Sequence, residues 1–109
     1  MADNAWFALV EENSPVGGVG LRDTYAWQLM EIIPVPAGVE IEELVHDVAL
    51  RFSPVRPAFP TRRSVFRVNA ETYVVRVEGA TSAHHFRVTA AEHIADLNGQ
   101  AAQSGPAST

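Results

Sequence analysis

Residues 64–79, SVFRVNAETYVVRVEG, decide the fold class. Two runs rich in β-branched and aromatic residues, SVFRVN (64–69) and TYVVRVEG (72–79), flank a two-residue break at Ala70 and Glu71. That pattern predicts a tight antiparallel hairpin. Setting Asn69 opposite Thr72 puts Phe66 opposite Val75 and Val68 opposite Tyr73 on one face. The other face then holds Arg63 opposite Glu78 and Arg67 opposite Val74.

Beyond the loop ATSA (80–83), HHFRVT (84–89) predicts a third strand of the meander. With Val77 facing Phe86, His85 faces Glu78 and Arg87 faces Arg76, while His84 shares the inner face with Phe86 and Val88. Thr89 followed by Glu92 fits a capping box and predicts a short helix over 90–97, stopped at Asn98-Gly99. Residues 99–109 lack large apolar side chains and are expected to be a disordered tail.

Toward the N-terminus, SPVRPAFPTRR (53–63) interposes three prolines and reads as a helix-to-strand crossover, although PAFPTR also fits a weak PxxPxR ligand pattern. VEIEELVHDVALRF (39–52) is the best helix: Ile41, Leu44, Val45, Val48, Ala49 and Phe52 form one stripe. Glu40, Glu42 and Glu43 at its start and Arg51 at its end suit the helix dipole, and Asp47 pairs with Arg51 at i,i+4 spacing. TYAWQLMEII (24–33) is a strand apolar on both faces, which implies a central position or a face covered by a partner. NSPVGGVGLRD (13–23) is a flexible connection, and AWFALVEE (5–12) a first strand.

The expected order is therefore β-β-α-β-β-β-α. It describes an α+β domain over residues 1–98: a two-layer arrangement of about five antiparallel strands with two helices on one face. From residue 39 onward the order α-β-β-β-α resembles that of the double-stranded-RNA-binding domain. The resemblance stops at element order, because the last helix begins TAAEHIAD and lacks that family's lysine-rich start.

A length of 109 residues with 47% hydrophobic and 19% charged residues suits one self-sufficient core. The absence of cysteine excludes disulfides, thiolate metal sites and cysteine nucleophiles. The absence of lysine excludes Schiff-base and P-loop chemistry. No apolar run approaches the roughly 18 residues of a membrane helix, and no basic leader precedes the first strand, so a cytoplasmic chain without membrane contact is expected.

Net charge is −5, yet residues 1–47 hold nine acids and one arginine while residues 48–109 hold seven arginines and four acids. One arginine from each strand of the meander, Arg67, Arg76 and Arg87, is expected on one sheet face with Arg63 and His85. This is the candidate site for an anion or an acidic partner. Neighbouring strand residues face opposite ways, so His84 and His85 do not chelate one metal. A metal would need His85 or His93 to meet His46 or Glu78 through the fold. No catalytic motif is present, and no metal or cofactor is expected. These features favour a non-catalytic interaction or assembly module, possibly self-associating through its sheet. Alternatives are nucleic-acid binding through Arg56, Arg62, Arg63, Arg67, Arg76 and Arg87, which the net charge disfavours, and a small-molecule or enzyme pocket between sheet and long helix using His84 or Tyr73.

Overall fold

A computed structural model describes residues 5–15, 25–54, 57 and 59–97. The expected tail at 99–109 and most of the glycine-rich connection lie outside the described residues. Six elements follow in order: β1 (Trp6–Pro15), β2 (Tyr25–Pro34), α1 (Ile41–Arg51), β3 (Pro60–Asn69), β4 (Thr72–Gly79) and β5 (Ala83–Glu92). The strands form one sheet in the order β2-β1-β5-β4-β3, with every neighbouring pair antiparallel. The α+β, sheet-dominated architecture is the expected one, with one helix rather than two among the described residues.

The helix forms where the stripe predicts it. The Glu43 carboxylate accepts the Glu40 backbone N–H at 3.2 Å, half of a capping box that closes the first turn. Leu44, Val45, Val48 and Ala49 are buried against Ala8 and Val10 of β1, Tyr73, Val75 and Val77 of β4, and Phe86 and Val88 of β5. Phe52 meets Phe86 edge-on at 5.2 Å. Asp47 and Arg51 form the expected pair at 2.7 Å, an exposed contact worth about 0.3 kcal/mol. Gly79 ends β4 where a β-carbon would lie 2.7 Å from Cβ of Pro57, so the crossover packs there only against glycine.

Four expectations are corrected. First, residues 90–92 continue β5 and residues 93–97 hold no helix. Ala90, Ala91 and Glu92 pair with Ala8, Phe7 and Trp6, and the backbone continues with His93 N–H donating to Ala5 C=O at 2.8 Å. The segment's helix propensity gives way because an isolated two-turn helix is marginal, whereas β5 is the middle strand of a ladder. Thr89 lies mid-strand opposite Leu9 and Thr72, so no cap forms, and the α-β-β-β-α order is lost with the helix.

Second, Asn69 does face Thr72, but a bulge at Val68 shifts the rest of the hairpin by one residue. Phe66 faces Val74, Arg67 faces Tyr73 and Val65 faces Val75. Phe66 and Val68 are consequently exposed, and Val65 packs on the core instead. Third, β2 is an edge strand, and its own bulge at Met30 puts Trp27, Leu29 and Ile32 on one face. Fourth, in the third meander strand Val77 faces His84 rather than Phe86, a slip of two that preserves which side each residue takes.

Two alanine substitutions test the bulge. Phe86→Ala should cost about 3–5 kcal/mol in urea unfolding, and Phe66→Ala less than about 1 kcal/mol. Equal losses would restore the unshifted hairpin, in which both rings share one core.

Candidate functional site

The sheet has two unlike faces. Even-numbered residues of β1 and β5 lie under α1. The opposite face is covered by none of the described elements. Across it, Pro34, Phe7 and Ala91 form one row, followed by Ile32, Leu9 and Thr89 with Thr72 and Asn69. The next row runs Leu29, Glu11, Arg87, Val74, Phe66, and beyond it Trp27 pairs with Asn13, and His85 with Arg76 and Ser64. Apolar side chains thus gather at the β2–β1–β5 corner, and polar ones at the far end of β4 and β3. Leu29 is 52% exposed and Ile32 55%. With Phe7, Leu9 and Ile94 they border a shallow groove of about 330 Å³.

Arg87 occupies the middle of this face. Its Nε donates to Oε1 of Glu11 at 2.7 Å, and its guanidinium lies 4.5 Å from the Trp27 ring centroid. The pair joins the acidic first half of the chain to the basic second half. Arg76 pairs with Glu78 on the same face, and His85 is exposed opposite Arg76.

Of the five residues expected to form an anion site, the structure brings together Arg76, Arg87 and His85. Arg63 and Arg67 lie on the helix side because the Val68 bulge inverts β3. Arg63 there donates to the carbonyls of Ala49 at 3.0 Å and Phe52 at 2.5 Å, closing the helix C-terminus. It also lies 5.6 Å from the Phe86 ring centroid, and burial lowers its pKa from the usual arginine value. Arg56 lies outside the described residues. Four of the six described arginines, Arg51, Arg63, Arg76 and Arg87, are therefore engaged within the fold.

The histidines are dispersed. His46 meets Tyr73 edge-on at 5.7 Å, His84 lies 3.2 Å from the Ser82 hydroxyl, and His93 pairs with Asp96 at 3.1 Å beside Phe7. Among the described residues no three His, Asp or Glu side chains converge as a metal site. No described carboxylate is in ion-pair contact with His84, so the Ser82–His84 contact lacks the third group that orients a catalytic base.

Two further residues bear on the site: Tyr73, which the sequence reading placed at a pocket between sheet and long helix, and Glu12, which that reading missed. Tyr73 is 5% exposed. It lines a cleft of about 580 Å³ between α1 and β3–β4, with His46 and Glu42 on the helix side and Arg67 on the sheet side. Glu12 is 7% exposed, with Oε2 buried and unpaired. Its position was readable: it follows Ala8 and Val10 at the two-residue period of the inner face.

Family models, curated proteins and solved structures offer no match to this chain. No helix among the described residues is long and apolar enough to cross a membrane.

An unpaired buried carboxylate lowers stability, so Glu12→Leu should raise it by about 1 kcal/mol in urea unfolding. A loss of stability would show that the carboxylate serves a contact the fold requires.

Proposed function

We propose that the protein is a non-catalytic assembly module that docks a protein partner on the open face of its sheet. One observation carries the reading: Leu29 and Ile32, each more than half exposed, share a contiguous patch with Phe7, Leu9 and Trp27. Contiguous apolar surface of a few hundred Å² on a soluble domain marks interaction sites. The chemistry of the arginines supports a secondary role for charge, because Arg76 and Arg87 already hold carboxylates. Nucleic-acid binding is less favoured by the same geometry, since the described arginines it needs are split between two faces and three of those five are engaged within the fold.

A photo-crosslinking residue introduced at Leu29 should form protein adducts in producing cells, and one at Leu50, exposed on the helix, should not. Equal yields at the two positions would remove the docking reading.

A second reading rests on Tyr73. A largely buried tyrosine lining a cleft with Arg67 and His46 suits a small ligand bearing an acceptor group. An NMR fragment screen should then give saturable shifts at Tyr73, His46 and Arg67 that Tyr73→Phe weakens about tenfold. Shifts that ignore this substitution would sink it.

A further inference from the structure

Resting on the cleft reading of Tyr73, we propose that the ligand of that cleft is a small zwitterion with an apolar body. Its anionic group pairs with Arg67 and its cationic group with the carboxylates of α1. A dipeptide with free termini is the simplest such molecule.

The cleft exists because α1 does not reach the edge of the sheet. One inner-face row runs Val10, Val88, Tyr73, Arg67 across β1, β5, β4 and β3. α1 packs on the first three of these strands, and Val10, Val88 and Tyr73 are buried. β3 is the edge strand beyond the helix flank, so Arg67 ends the row exposed. Its side chain is on this side only because of the Val68 bulge. Across from it stands the polar flank of α1, where Glu42 with His46 and Glu43 with Asp47 repeat at i,i+4 spacing.

The two walls carry opposite charge and do not meet. Three carboxylates border the cleft together with Arg67, yet among the described residues Arg67 is in no ion pair. Arg63, on the same face of the same strand, differs: it donates to two carbonyls at the other end of α1. On the helix wall Glu43 accepts the Glu40 N–H and Asp47 holds Arg51. Glu42 is the cleft carboxylate with no such contact among the described residues.

An anion alone would satisfy Arg67 but meet the carboxylates, and a cation alone would meet the guanidinium. A molecule charged at both ends satisfies both walls, and arginine holds a carboxylate through two parallel N–H bonds. Between the charges lies Tyr73, 5% exposed, with Val39 and Leu44 beside it, a lining that suits an apolar body. Walls that do not pair with each other require separated charges. A single amino acid carries both on one carbon, whereas an extended dipeptide spans about 7 Å. The cleft, about 580 Å³, has the size of an ordinary small-ligand pocket.

An NMR titration of the full chain with alanyl-leucine is the test. Saturable shifts are expected at Glu42, Arg67 and Tyr73. The N-acetylated and the C-terminally amidated forms should each bind about tenfold more weakly, because each leaves one wall unpaired. Arg67→Gln should weaken the free dipeptide and abolish the penalty of amidation alone. Glu42→Gln should abolish the penalty of acetylation alone. Both side chains are exposed, so far-ultraviolet circular dichroism should stay unchanged, and the comparison of the three ligands on the parent chain depends on neither variant. Absence of saturable shifts with alanyl-leucine overturns the proposal, as do equal affinities for its three forms or penalties that persist in both variants. Fragments that bind at Tyr73 with no preference for paired charges would reject the zwitterion and leave the cleft reading standing. A fragment screen silent at Tyr73, His46 and Arg67 would remove both.

Discussion

The packing of α1 on β1, β5 and β4 is the contact on which everything else depends. It buries Val45, Ala49, Phe86 and Val88 in one cluster and fixes which side of every strand is inside. It also sets a limit. One helix of 11 residues has one apolar stripe, and a stripe can cover one face of a sheet. Among the described residues no element covers the second face, so its apolar content is not explained by the core under α1. Arg63 ties the helix to the far strand through two carbonyls, and this makes β3 part of the same inner layer although it is an edge.

Two single-residue bulges decide what the open face displays. At Val68 the extra residue sends Phe66 outward and turns Arg63 and Arg67 inward. At Met30 it aligns Ile32 with Leu29 and Trp27, although a regular strand would put Ile32 on the opposite side. Each bulge therefore exchanges outward residues: Phe66 takes the side a regular β3 would give Val65, Arg63 and Arg67, and Ile32 the side a regular β2 would give Glu31 and Ile33. Regular strands would have left the outer face more polar.

The legible parts of the fold were those written in periodicity. The stripe Ile41, Leu44, Val45, Val48, Ala49 and Phe52 is the helix's buried side, and the alternation in 72–79 and 84–89 gave the correct sides for Arg76, His85 and Arg87. Bulges have no residue signature at Val68 or Met30, and a period of two cannot reveal its own interruption. Residues 90–97 failed for a different reason. Their local preference is helical, but the pairing of β5 with β1 joins positions about 80 residues apart, and nothing local encodes that. The candidate arginine site inherited the first error, because its five members share a face only if β3 is regular.

The charge asymmetry of the chain finds its explanation in the same topology. β1 comes from the acidic half and β5 from the basic half, and the sheet order makes them neighbours. Glu11 and Arg87 meet across that junction on the outer face, where partial solvation keeps the pair inexpensive. One residue along, Glu12 turns to the inner face, where its Oε2 has no hydrogen-bond partner. Described arginines left without a partner, Arg62 and Arg67, lie on β3 at the edge of the sheet. Positive charge available to a partner is thus marginal to the face, and the apolar corner at β2–β1–β5 is central to it. In the proposed docking, recognition rests on apolar fit and charge sets orientation at the rim.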